Sequence, residues 1–532
     1  MLKSFLQLIK TRRDLREEDH PLAPTSPNEC LLQSFEWHTR SSADDPHWSH
    51  LSSLMPTLAE LGVTLLLIPP PTKAAYENSN GYDVYDLWDL GEFEQKGQVG
   101  TKWGTKVQLE EMCRKAKEAG IGIIADAVLG HKTGADEKER VKLVKVDDEN
   151  RLKVVGDVRD TYAWVRWKFD GRGEKYSQME WGPQHFTGIE WDDGAQENGI
   201  FLLNGKQWSK NVDARFGNYD YLMFTDIDHT HPEVHADLLA WGRWITKELN
   251  LKGMRFDAVR HFDYDFMRQF QEHVAATTSG WISVGEFYDG DVRLLKAYLS
   301  HMTPGYKLFD IPLLTNFAAA SASYLPLPPT PPSSTPASTI STGRVQNVRS
   351  KPFDLRRIFN GSLLASHPTQ SVTLVANHDT QPGQACETPI AAWFKPLAYA
   401  ILLLRNDGLP CVFWGDLFGI TQGPEVVDKV KGLEVLMRAR KGWAYGRQMD
   451  YFMDGGSLAW VRMGTHDRPG CAVVLSAVEG GARRSMFVGK RCAGGRWVDM
   501  MGLVKQEVRI DKKGYGEFLC EGRSVSVWNN AE

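Results

Sequence analysis

Three carboxylates in this chain stand at the ends of apolar runs: Asp257 in Gly253-Met254-Arg255-Phe256-Asp257, Glu286 in Val284-Gly285-Glu286-Phe287 and Asp379 in Ala376-Asn377-His378-Asp379. A fourth segment, Asp126-Ala127-Val128-Leu129-Gly130-His131, has the same form. Cleaving an acetal requires one carboxyl to protonate the leaving oxygen and a second to attack carbon or activate water. The two must differ in ionisation at one pH. Arg255 lies two residues before Asp257, so on a strand both face one side. A cation there keeps Asp257 ionised, which makes it the candidate nucleophile. Glu286 follows Trp281, Ile282 and Val284, and partial burial would raise its pKa, as a proton donor requires. Asp379 with His378, and His131 from the first segment, are placed to hold sugar hydroxyls across the pocket.

These residues converge only if their strands stand side by side. Eight apolar runs read as strands: Leu31–Phe35, Val63–Ile68, Ile121–Val128, Gly253–Val259, Ile282–Phe287, Lys307–Ile311, Val372–Ala376 and Cys411–Trp414. Most are apolar throughout, as strands covered on both faces should be. Helical patterns alternate with them at Gln108–Ala119, Pro232–Leu249, Pro396–Leu404 and Val426–Ala439. Eight βα units predict a (β/α)8 barrel with its chemistry at the C-terminal strand ends. About 120 residues separate the third and fourth strands, too many for a structureless loop. We expect an inserted subdomain over 132–232, barrel residues at 29–131 and 233–445, and a C-terminal antiparallel β-sandwich domain over 446–532. Residues 1–28 read as an N-terminal extension with a short amphipathic stretch. A Pro/Ser/Thr-rich insert at about 322–350 cannot build a core.

Bulk properties narrow the partners. The net charge of -5 argues against nucleic acid, which favours a basic patch. Seven scattered cysteines contain no CxxC pair, so zinc and redox motifs are unsupported and a reducing compartment is expected. The N-terminus lacks a signal-peptide pattern, and no apolar run is long enough to span a membrane. The expectation is a cytoplasmic monomer, off the membrane.

The four segments resemble the signature regions of the α-amylase family of glycoside hydrolases (family 13). SFEWHT, GYDVYDLWDLGEFEQKG, GNYDYLMFTDIDHTHPEV, NHDTQPGQ, WFKPLAYA and GYGEFLCEGRSVSVW look like bacterial liquefying-type α-amylases and their intracellular fungal relatives, over about 29–530. The resemblance implies an α-1,4-glucan or maltooligosaccharide substrate, no organic cofactor and retention of anomeric configuration. It casts Asp257 as nucleophile, Glu286 as general acid/base and Asp379 as transition-state stabiliser. Tyr82, His131, Arg255 and His378 match residues around the cleaved sugar. Arg260 and His261 match the leaving-group side, with Arg260 where Lys is usual. Asp220 and Asp226 match two calcium ligands and the His261 carbonyl a third. Gly130, however, stands where the family has a ligand Asn. Gln178, Ser209 and Thr230 stand where liquefying enzymes have carboxylates for an adjoining metal cluster. These departures predict lost or weakened calcium binding. A 4-α-glucanotransferase supplying cell-wall α-glucan synthesis shares the covalent step and is the alternative. A non-catalytic glucan-binding relative would have lost the carboxylates.

Overall fold

The computed structural model describes residues 28–42, 44–324 and 352–530. Almost all of the N-terminal extension and of the Pro/Ser/Thr-rich insert lies outside the described residues.

Eight parallel strands close a barrel in chain order. They are β1 (Leu31–Gln33), β2 (Leu65–Ile68), β3 (Gly122–Ala127), β4 (Gly253–Phe256), β5 (Ile282–Gly285), β6 (Tyr306–Phe309), β7 (Ser371–Leu374) and β8 (Leu409–Phe413), with β8 paired back to β1. Each overlaps an expected run. Their residues are buried almost throughout, which is why they read as unbroken apolar stretches. The observed β4 and β5 stop one residue before Asp257 and Glu286. The backbone N–H of Asp257 still reaches the Ala127 carbonyl (3.1 Å), and that of Glu286 the Phe256 carbonyl (2.9 Å). The two acids thus stand on the barrel rim, anchored by one last backbone hydrogen bond each.

A helix follows every strand: α1 (His47–Leu61), α2 (Lys106–Glu118), α3 (Pro232–Glu248), α4 (Tyr264–Ala275), α5 (Val292–Leu299), α6 (Ile311–Ser323), α7 (Lys395–Leu404) and α8 (Leu433–Gly442). Thr105 and Gln108 form a capping box that starts α2. The helix expected from Val426 begins only at Leu433. Gly432 has φ +79° there, which breaks the helical path, and Val427 pairs with Ile420 instead.

Between β3 and β4 the chain builds a six-stranded sheet. Its order is His131–Lys132, Thr225–Ile227, Phe186–Asp192, Glu197–Leu203, Glu137–Lys145 and Arg159–Arg166. The first of these strands leaves the barrel at His131, so the inserted sheet grows out of the catalytic rim. After α8 a second six-stranded antiparallel sheet includes Ser457–Arg462, Cys471–Ser476 and Ser524–Asn530. It shares a core of Val461, Val474, Met486, Trp497, Phe518 and Trp528 with a two-stranded sheet of Ala482–Phe487 and Tyr515–Cys520.

The β4–β5 contact fixes the acids relative to one another, and it has no spare room. Gly253 pairs with Ile282, and a Cβ added at Gly253 would fall on the Ile282 carbonyl oxygen. Gly253→Ala is expected to destabilise the protein by about 1–3 kcal/mol. This would be read as a lower midpoint of urea unfolding; an unchanged midpoint would mean the strands separate freely there.

Candidate active site

Arg255 is the centre of the site. It points into the top of the barrel from β4 and is 2% exposed. Its Nη1 donates to Asp126 Oδ1 (2.6 Å) and Asp257 Oδ1 (2.8 Å), and its Nη2 to Glu286 Oε2 (2.5 Å). Strand register explains the grouping. Arg255 lies opposite Asp126 on β3 and opposite Val284 on β5, two residues before Glu286. Three carboxylates from three adjacent strands therefore meet one guanidinium.

The chain turns sharply after Asp257. Ala258 takes a left-handed conformation (φ +47°, ψ +42°), which costs a non-glycine residue about 1 kcal/mol or more. The turn brings the Ala258 N–H to Glu286 Oε2 (3.3 Å) and the Val259 N–H to the Glu286 carbonyl (3.0 Å). Nucleophile and acid candidates are thus tied to one another through backbone as well as through Arg255.

Tyr82 comes from the loop after β2. Its hydroxyl donates to Asp126 Oδ2 (2.7 Å), and its ring stacks on His378 with centroids 5.1 Å apart and planes at 5°. Trp37 stacks on both rings at 6.0 Å. The Gln33 amide nitrogen contacts His378 Nδ1 (2.7 Å), and an amide nitrogen only donates. His378 Nδ1 is therefore the acceptor, and the proton sits on Nε2, 3.2 Å from Asp379 Oδ2. Burial and the Arg255 charge push the His378 imidazole down to about 3, so it is neutral at ordinary pH. Burial likewise lowers His131, whose Nε2 donates to the Tyr82 carbonyl (2.8 Å). Asp379 is set by its N–H bond to Asn377 Oδ1 (3.0 Å), and its carbonyl receives the Cys386 N–H (3.2 Å). Tyr288 then straps the loop after Glu286 to that segment, through its hydroxyl and the Cys386 carbonyl (3.1 Å).

Arg260 and His261 lie beside this group and are already engaged. Arg260 donates through Nε to Asp213 Oδ2 (3.0 Å) and through Nη1 to the Tyr288 carbonyl (2.7 Å). Its Nη2 also faces Asp289 (3.3 Å). His261 Nδ1 bonds the Tyr219 carbonyl (3.0 Å), and burial with the Arg260 charge drives it down to about 3.

Burial raises the pKa of Asp257, Glu286 and Asp379 alike, and Arg255 opposes the rise. The environments are unequal. Glu286 is pushed further up by the charges of both Asp379 and Asp257, whereas Asp257 feels only Asp379. Asp126, buried in the same set, is pushed up to about 7, so burial and mutual repulsion make the group as a whole resist full ionisation.

Asp220 and Asp226 sit behind the nucleophile candidate. Both are buried, and a cavity of about 10 Å³ lies between them and Gly130, Asp257 and His261. Asp226 Oδ2 opens no hydrogen bond to any described residue. A space of that size takes one water or one ion. Two carboxylates, one of them with an orphaned oxygen, suit a hard cation that prefers oxygen ligands. Gln178 stands apart, exposed and bonded to Glu174. His185, His231 and Glu233 also cluster, but His185 Nδ1 accepts the Gly182 N–H (3.0 Å), so its Nε2 proton goes to Glu233 (2.9 Å).

Sequence reasoning assigned no role to Asp126 or Gln33. Each is the polar exception in a buried barrel strand, and that signal was available.

Comparison with known proteins now decides the family. A profile of the α-amylase catalytic domain matches residues 41–447. The chain belongs to the α-amylase family. It is an enzyme of that glycoside hydrolase family, built on its (β/α)8 barrel. Over 507 residues it is 38% identical to an α-amylase of Bacillus licheniformis, covering 94% of this chain and 93% of the relative. It is 40% identical over 511 residues to a glucan 1,4-α-maltohexaosidase of Bacillus sp. (strain 707), covering 94% and 92%. A cytoplasmic α-amylase of Escherichia coli (strain K12) is 34% identical over 516 residues, covering 94% and 98%.

In this α-amylase family member Arg255 serves three carboxylates from two nitrogens of one rigid plane, a spacing that a lysine's single nitrogen does not reproduce. Arg255→Lys is expected to lower kcat by about a hundredfold and stability by about 3 kcal/mol. Turnover and urea unfolding would check both. Near-normal turnover would show that the guanidinium does not position the acids.

Proposed function

We propose that the protein is an intracellular α-amylase that cleaves internal α-1,4-glucosidic bonds of glucans and maltooligosaccharides with retention of configuration. The observation that carries this reading is Arg255 gripping Asp257 and Glu286 together at one point of the barrel rim. Retaining chemistry needs two carboxyls close enough to share one sugar carbon, about 5 Å apart.

The steps follow from which oxygens are engaged. Asp257 Oδ1 is held by Arg255, so Oδ2 is the oxygen that attacks the anomeric carbon. Glu286 Oε2 accepts from Arg255 and from Ala258, so the proton resides on Oε1 and passes to the departing glycosidic oxygen. The covalent glycosyl-Asp257 ester forms as that bond breaks. Glu286, now ionised, takes a proton from water. The water oxygen attacks the same carbon from the face the leaving sugar vacated, and Asp257 leaves as carboxylate. Asp379, next to the His378 Nε2 proton, faces the positive charge that develops on the ring. Tyr82 supplies an aromatic floor, and His131 lies against Phe224 at the edge of a further cleft.

That cleft, about 310 Å³, is lined by Tyr76, Trp164 and Trp191. Their rings are 66%, 43% and 37% exposed, which is unusual for large aromatics unless they serve as platforms. Asp193 accepts from both indole N–H groups (3.2 and 3.3 Å) and sets the rings. Exposed rings sharing one cleft would favour long glucan chains.

For location, the seven cysteines are all free thiols, and a similar protein is a cytoplasmic α-amylase. No helix among the described residues is long and apolar enough to cross a membrane. We read the protein as a cytoplasmic monomer. The ion that Asp220 and Asp226 would hold is calcium, whose charge would steady the turn carrying Asp257. The alternative, 4-α-glucanotransferase activity, differs only in whether water or a sugar hydroxyl reaches the ester first.

Maltoheptaose incubation separates these readings. Only shorter sugars, initially in the α-configuration by proton NMR, are expected, and Glu286→Gln should abolish them. Predominantly longer products would establish transfer, and full activity of Glu286→Gln would sink the mechanism.

The pH dependence carries a further test. Glu286 must be protonated for the first step, and its pKa is raised. On the alkaline side activity therefore falls as pH rises through that pKa, while protonation of Asp257 sets the acid limb. Asp379→Asn removes one of the charges that raise it, so the alkaline limb of the residual kcat/KM profile should move to lower pH. A limb that stays in place would assign the proton to another group.

A further inference from the structure

A cavity of about 850 Å³ lies where three parts of the chain meet: the segment after Asp379, the stretch before α8 and the C-terminal domain. Ile390, Trp393 and Pro396 belong to the first wall, Val426 to the second, and Leu503 and Val525 to the third. Val426 is 74% exposed and Leu503 50%, so an apolar surface opens outward there. Trp393 Nε1 is buried and meets no acceptor among the described residues. An indole N–H can only donate, and leaving it unpaired is costly. Glucan suits this surface poorly, since sugar hydroxyls need polar partners. In the same walls Thr388 already bonds the Cys386 carbonyl (2.9 Å), Lys395 bonds Asp416 (2.5 Å) and Lys429 bonds Glu434 (3.4 Å).

Arg523 connects this cavity to Tyr324. Its guanidinium lies over the Trp393 ring (5.3 Å), and its Nη2 donates to the Tyr324 carbonyl (3.1 Å). The chain then continues as Leu325-Pro326-Leu327-Pro328-Pro329-Thr330-Pro331-Pro332. Three extended residues reach about 10 Å, so this run starts within reach of Trp393. It returns at Phe353, beside its origin. The Tyr324 hydroxyl donates to the Phe353 carbonyl (2.7 Å), and the Phe353 N–H to the Ser323 hydroxyl (3.0 Å). Proline sets φ in advance and leaves carbonyls without a partner inside the run. Segments with the P-x-x-P spacing, here Pro326/Pro329 and Pro328/Pro331, dock in aromatic-lined grooves because they lose little entropy on binding.

We propose that this cavity is the docking site of residues 325–332 of the same chain. Their Leu and Pro side chains cover Ile390, Val426 and Leu503, and one of their carbonyls accepts the Trp393 indole N–H. A short tether holds the run at a millimolar effective concentration, so modest contact suffices. Thr380 and Gln381 also line the cavity, and Gln381 Oε1 accepts the Trp37 N–H (3.0 Å). The docked run therefore backs the segment that carries Asp379.

The test is photo-cross-linking in the full chain. With Leu327→p-benzoylphenylalanine, ultraviolet light should join residue 327 to residues 388–397 or 424–432 of the same molecule, as located by mass spectrometry. Val426→Asp, at an exposed position, should abolish these adducts. Trp393→Phe keeps a ring, removes the N–H and should reduce them severalfold. Adducts elsewhere, adducts only to a second copy of the chain, or none would each overturn the proposal, as would full yield from Val426→Asp. Amide hydrogen exchange gives a second readout. Replacing residues 325–332 by alternating Gly and Ser should speed exchange severalfold across 388–397 and 424–432. Unchanged rates there would show that the run does not cover the cavity.

Discussion

The rest of the site depends on one buried guanidinium. Taking an ion out of water costs several kcal/mol unless its partners repay it. Arg255 recovers that cost only because Asp126, Asp257 and Glu286 arrive from adjacent strands at matching heights. The dependence is mutual, since three crowded carboxylates would otherwise keep their protons. The same contacts that stabilise the buried charge therefore also fix the geometry and the ionisation that bond cleavage needs.

Barrel closure is what permits this arrangement. Parallel register sets Arg255 level with Asp126 and two residues short of Glu286, so no loop has to find the catalytic distance. Loops add the less demanding parts. Tyr82 hangs from Asp126, His378 from Gln33, and Tyr288 ties the loop after Glu286 to that of Asp379. Each of these polar contacts ends on a group that is itself held, which limits rotamer freedom at the reaction centre.

Much of this was legible in the sequence, for a physical reason. Strands covered on both faces are apolar throughout, so all eight barrel strands were visible as runs, and the acids punctuated their ends. Helix starts were less legible. The Val426–Ala439 pattern looked helical until Gly432 took a positive φ. The pairing of the inserted sheet was hidden because its strands meet out of chain order, which periodicity cannot reveal. Asp126 and Gln33 went without roles because a lone polar residue in an apolar strand has no reading until its partner across the sheet is known. The engagement of Arg260 by Asp213 and Tyr288 likewise depends on two segments remote in sequence.

The same logic bears on the residues behind the site. Asp257 occupies a turn whose next residue, Ala258, is strained. In front, the turn is held by Arg255. Behind it lies the small cavity bounded by Asp220 and Asp226. A cation there would attract the carboxylates that flank the turn and would sit near the nucleophile without touching its reacting oxygen. Such an ion would raise the cost of opening the turn and leave the proton inventory of the front side to Arg255. The adjoining pocket, lined by Asp228 and Asp263, borders α4 and not the catalytic turn. There the Lys206 ammonium and the Thr230 hydroxyl donate to Asp228, and the Ser209 hydroxyl to Asp263.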